Sequence, residues 1–145
     1  MASTDWVAIN IDTESNDIVK KIQDINYSPF KGATSIQILM SAAALALNKG
    51  LWLSRKYNRG TDITNKNLIT EEQKWFMCML SYTLDPEHNL AKLQDKTQIV
   101  RNFEQYAQTG LPLLMELCNA RNSLDESIRL IEESLEGYKV GYTQA

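Results

Sequence analysis

Thr70-Glu71-Glu72-Gln73 leads straight into Trp75-Phe76-Met77-Cys78-Met79-Leu80. The first four residues form a capping box, in which the Thr and Gln side chains satisfy each other's free backbone N–H groups and start a helix. The run that follows is apolar on nearly every side, so a helix reaching about Tyr82 must be enclosed by other elements. Trp75–Leu80 is therefore expected to be the centre of the core.

The elements available to enclose it are also helical. Ile36, Leu39, Met40, Ala43 and Leu47 form one stripe, started by Thr34 or Ser35 and ended by Gly50 in a left-handed conformation. Ala42, Ala43, Ala44 and Ala46 make this helix small-sided, which lets a neighbour approach closely. Ile18, Ile22 and Ile25 recur at helical spacing after a cap at Thr13 or Ser15, and Asn26–Gly32, with Pro29, reads as a turn. Asp85-Pro86 should open a short helix to about Leu93, with Asp as cap and Pro in the first turn. Ile99, Val100, Phe103, Tyr106 and Ala107 predict a helix stopping at Gly110, and Pro112 then starts another that buries Leu113, Leu114 and Leu117. Ser123 with Glu126 is a second capping box, for a helix carrying Leu124, Ile128, Ile131 and Leu135 and ending at Gly137.

Period two appears at one place. Val7, Ile9 and Ile11 alternate with Trp6, Ala8 and Asn10, predicting a short strand. The whole chain, 1–145, thus reads as a single compact helical domain with one short N-terminal strand. Residues 1–5 and 139–145 are expected to be loose tails, and 51–67 a long surface loop. There is no internal repeat and no low-complexity segment.

Composition narrows the function classes. The 145 residues carry 43% hydrophobic and 23% charged side chains, the balance of a globular domain that buries a core without staples. A formal net charge of −3 gives no overall attraction to phosphate or anionic lipid. The most apolar stretch, Ile36–Leu53, is interrupted by Gln37, Ser41, Asn48, Lys49 and Gly50, and no basic-then-apolar leader opens the sequence. A cytoplasmic location is expected.

Catalytic groups are scarce. The single histidine, His88, falls in the first turn of an expected helix, where the dipole disfavours its protonated form. No nucleophile elbow accompanies it, so no Ser/His/Asp set can be built. Cys78 and Cys118, the two cysteines, sit apart in apolar runs and read as small buried hydrophobes, with no ligand cluster for zinc. Glu71-Glu72 and Asp125-Glu126 suit N-terminal turns, while Glu132, Glu133 and Glu136 suit a solvated face. No enzymatic activity, metal or cofactor is expected.

One patch stands out. Lys49, Arg55, Lys56, Arg59 and Lys66 face a single acid, Asp62, and are interleaved with Trp52 and Tyr57. Such a loop can track a phosphate backbone and stack bases, dock an acidic protein, or simply be solvated and anchored by Leu51, Trp52 and Leu53. The order strand, helix, turn, helix over Trp6–Gly50 also resembles a ribbon–helix–helix unit. Its reading face would offer Trp6, Ala8, Asn10 and Asp12, without Arg or Lys, so such a strand would serve dimerisation instead.

Pro29-Phe30-Lys31 before the Ala42-Ala43-Ala44 helix, together with Phe103-Glu104-Gln105-Tyr106-Ala107-Gln108-Thr109-Gly110-Leu111, carries a family resemblance. Over Tyr27–Leu117 the chain resembles small accessory proteins encoded beside bacterial DNA phosphorothioation (Dnd) defence systems. The long basic loop and the last acidic helix depart from that pattern. The resemblance implies a non-enzymatic component of an anti-phage or DNA-modification locus, with a protein partner or self-association, and gives no catalytic residue to carry over.

Overall fold

A computed structural model describes residues 5–25, 28–50, 57–118, 128–129 and 131–133. The chain is mainly α, with one small sheet: strand β1 (Ile9–Ile11), helix α1 (Thr13–Asp24), helix α2 (Ser35–Asn48), strand β2 (Thr61–Thr64), helix α3 (Glu71–Leu84) and helix α4 (Lys96–Leu117). Short 3-10 helices, Lys66–Leu68 and Leu90–Gln94, lead into α3 and α4.

Capping explains most of the helix starts. Thr34 with Gln37, and Thr70 with Gln73, form complete capping boxes at α2 and α3. At α1 the cap is Asp12, whose Oδ1 accepts from the Ser15 N–H at 2.8 Å, one residue before the expected Thr13. Gly50 closes α2 with φ +63°, a conformation open to glycine at little cost.

The centre of the fold is the crossing of α2 and α4. Ile38, Leu39, Ala42, Ala43, Leu45 and Ala46 of α2 are buried, as are Ile99, Val100, Phe103, Ala107, Leu111 and Leu114 of α4. Gly110 makes the crossing possible: a Cβ there would overlap the Ala42 carbonyl and press on the Ala46 methyl. The small-sided helix thus receives its close neighbour. Gly110 is accordingly not a helix stop, and α4 runs unbroken through Pro112. The proline removes one hydrogen bond to the Gln108 carbonyl. The apolar stripe on both sides of it, from Phe103 to Leu114, holds the two halves in one helix.

α3 is not the central helix. Met77, Leu80 and Ser81 are buried, and Phe76 meets Phe103 edge-on at 6.0 Å between ring centroids. Trp75 and Met79, on the other side, face outward. A helix apolar all round needs neighbours on several sides; α3 packs chiefly on α4 and leaves Trp75 and Met79 exposed. After α3 the expected helix at Asp85-Pro86 is replaced by a turn. Asp85 accepts from the backbone N–H groups of Glu87 and Asn89, and His88 takes φ +48°. That left-handed residue ends any helical run from Pro86, and the chain re-forms as the 3-10 helix Leu90–Gln94.

Within the segment 51–67 expected as a loop, Thr61–Thr64 is strand β2, antiparallel to β1 with a register irregularity between Ile9 and Asn10. Alternation in Thr61-Asp62-Ile63-Thr64 is too short and polar to announce a strand. Its pairing also answers the ribbon–helix–helix resemblance: the order strand, helix, turn, helix is present, but β1 pairs inside its own chain. On its other edge the N–H groups of Asn10 and Asp12 donate to Glu104 and Gln108 of α4. β1 is therefore not a dimerisation ribbon.

Residues 128–129 and 131–133 are helical, as expected of the last helix, and Ile131 packs against the core. Its capping residues Ser123 and Glu126 and its end at Gly137 lie outside the described residues, as do residues 1–4 and the expected tail 139–145.

Candidate functional site

The basic patch is only partly in view. Trp52, Arg55 and Lys56 lie outside the described residues. Lys49 caps the end of α2 and is exposed; Lys66 is exposed in its 3-10 helix; Tyr57 is half-buried. Arg59 is exposed and pairs with Asp62 at 3.9 Å. The described cations thus spread from the end of α2, along the approach to β2, to the turn before α3.

Beneath Arg59 lies a buried polar junction that local sequence does not announce. Asn10 is its hub: its side-chain carbonyl accepts from the Gly60 N–H at 2.7 Å, and its amide donates to Asp62 at 2.8 Å. Its backbone N–H donates to Glu104 Oε2 at 2.7 Å. Glu104 in turn takes a two-pronged contact from Arg101 Nη1, at 2.9 and 3.0 Å. Burial pushes the Glu104 carboxyl above its ordinary value, while the Asn10 N–H, Arg101 and Arg59 pull it back. Gly60 suits this place, because a Cβ would press on the Ile11 carbonyl and the Thr13 nitrogen, each at 3.0 Å. The junction fastens the return limb of the basic segment to β1 and α4. It holds Asp62 at 3.9 Å from the exposed Arg59 guanidinium, a surface pair that competes only weakly with a phosphate for that cation.

The second feature is the outward face of α3. Trp75 is 68% and Met79 53% exposed, one helical turn apart on the same face, and Leu68, in the turn leading to α3, is 70% exposed. Together these side chains form an exposed apolar face on α3 and the turn before it. The run Trp75–Leu80 was visible in the sequence; which of its sides faces out depends on where α4 lies.

The remaining candidates are structural in their surroundings. His88 Nδ1 lies 3.0 Å from the Tyr82 carbonyl, and its ring packs on Tyr82 at 4.9 Å. Cys118 is buried and Cys78 half-buried, and burial pushes both thiols up, away from the reactive thiolate. Among the described residues no three His, Cys, Asp or Glu side chains gather into a metal-binding group. Glu132 and Glu133 are exposed, and Glu133 pairs with Arg129 at 2.6 Å. No helix among the described residues is long and apolar enough to cross a membrane.

A family model described as DNA sulphur modification system-associated protein 4 matches residues 8–139, from the start of β1 past the last described helical turn. No curated protein and no solved structure matches the chain.

Proposed function

Because the chain belongs to the family of DNA sulphur modification system-associated protein 4, we propose that it is a non-catalytic accessory subunit that assembles with another protein of such a system. The observation that carries this reading is the exposed Trp75/Met79 face of α3. Tryptophan and methionine are enriched where proteins meet, and large aromatic anchors contribute most of the binding energy at such surfaces. The face is built on a helix locked by a capping box and docked through Phe76, Met77 and Leu80, so it is presented without a cost in ordering. The family description, which ties the chain to a DNA sulphur modification system, supports a partner drawn from the same system.

The test is capture from cells expressing the whole locus. A tagged wild-type chain should retain a system component, and Trp75→Glu combined with Met79→Glu should lose it while keeping its melting temperature. A wild-type chain that stays monomeric and retains no component would refute the reading.

Nucleic-acid binding through the basic segment is the alternative. It draws support from Lys49 and Lys66 on the surface, and less from Arg59, which pairs with Asp62. If it held, affinity for DNA or RNA would fall steeply with salt and drop when Arg55, Lys56 and Arg59 become Ala. Insensitivity to both excludes it.

A further inference from the structure

Between the end of α3, the 3-10 helix Leu90–Gln94 and the first half of α4 lies a cavity of about 470 Å³, within the size range of small-molecule sites. Leu84, Leu93 and Ile99 supply apolar walls. Against them stands a polar row on one side of α4: Gln98, Asn102 and Tyr106, spaced four residues apart and therefore stacked along the helix.

This row is linked but not saturated. Gln98 Nε2 donates to Asn102 Oδ1 at 2.9 Å, and Asn102 Nδ2 donates to the Ser81 hydroxyl oxygen at 3.1 Å. The chain of bonds holds the amides in place. It leaves the Gln98 carbonyl as an acceptor and the second Asn102 N–H as a donor, and the hydroxyl protons of Ser81 and Tyr106 have no partner among the described residues. Ser81 is buried, at 9% exposure, so its unspent donor is costly unless something in the cavity accepts it.

Charge is cancelled at the same site. Lys92, the cation of the lining, is held by Asp85 at 3.3 Å and by Glu87 at 3.9 Å. Backbone N–H donation from Asn89 and Glu87 holds the Asp85 carboxyl below its usual range, so the pair stays ionised near neutrality. The cavity thus presents several hydrogen-bond donors, one acceptor, apolar walls, the ring of Tyr106 and the side of Tyr82 away from His88, with its lysine paired to Asp85 and Glu87.

We propose that this cavity binds a neutral planar heterocycle of the nucleobase class, taken as a base or nucleoside. Carboxamides recognise base edges by pairing a donor with an acceptor, and rings provide the stacking surface. An aliphatic ligand would leave the polar row unpaired. A phosphate would find Lys92 already engaged.

The test titrates the full-length chain with adenosine, guanosine, cytidine and thymidine, and with the matching 5′-monophosphates, followed by NMR. One nucleoside should saturate, with shifts concentrated at Ser81, Gln98, Asn102 and Tyr106. The monophosphate should bind no more tightly. Tyr106→Phe, which removes only a hydroxyl, should weaken binding about threefold to tenfold, the value of one hydrogen bond; so should Gln98→Ala, at an exposed position where folding is not at stake. Absence of saturation by all four nucleosides at their solubility limits overturns the proposal. So does affinity unchanged in both variants, or a monophosphate that binds more tightly than its nucleoside.

Discussion

Glu104 is the residue whose position says most about how this chain is held together. Its carboxylate is buried, receives the Asn10 N–H and is clamped by Arg101. Burial dominates, so its native titration lies above that of the unfolded chain. The neutral form is then favoured by folding. Glu104's contribution to stability is whole below the unfolded carboxyl value and is lost as pH rises through the native midpoint. Side-chain carbon NMR should find that midpoint above the ordinary glutamate value, and Arg101→Ala should raise it further, because the arginine opposes the shift. A midpoint unmoved by that substitution would contradict the geometry. Neither the burial nor the role of Glu104 was legible in the sequence. Phe103-Glu104-Gln105-Tyr106 is an ordinary stretch of amphipathic helix, and the group that turns the acid inward, Asn10, is 94 residues away. Arg59 was visible as a cation for the same reason that Asp62 was visible as an acid; their pairing depends on β2, which the polar Thr61–Thr64 does not advertise.

Among the elements, α4 carries the fold and α3 carries the candidate surface. The caps at Thr34 and Thr70 and the left-handed Gly50 were readable because capping is local chemistry. Gly110 and Pro112 misled, since each is a stop signal by propensity and here burial on both sides of them wins. Gly110→Ala should destabilise the chain by about 1–3 kcal/mol in urea denaturation, because the methyl has to force α2 and α4 apart. On an exposed helix the same change would gain up to ~1 kcal/mol, so the sign alone distinguishes a crossing point from a spare glycine. α3 gives a paired contrast. Met77→Ala should cost about 2–5 kcal/mol, the range for emptying a buried site, whereas Trp75→Ala and Met79→Ala should change stability by no more than about 0.5 kcal/mol. Equal losses at all three would mean that α3 is enclosed on every side, as its composition alone suggests.

At the scale of the whole molecule, a pair of crossed helices is flanked by a two-stranded sheet of sequence-distant strands and by α3, whose apolar composition exceeds what its neighbours cover. The resemblance carried by Pro29-Phe30-Lys31, the alanine helix and Tyr106–Leu111 agrees with the family match over residues 8–139. Those segments turn out to be the pieces of the α2–α4 crossing and the turn before it. That is why they could indicate kinship without indicating chemistry. The accessory role proposed for this chain rests on the surface left over once the core is satisfied. The most direct measurement is therefore paired capture from cells expressing the complete DNA sulphur modification locus, using wild type and Trp75→Glu/Met79→Glu at matched stability. If the accessory role holds, a system component is bound to the first and absent from the second. Equal capture by both, or by neither, would contradict it.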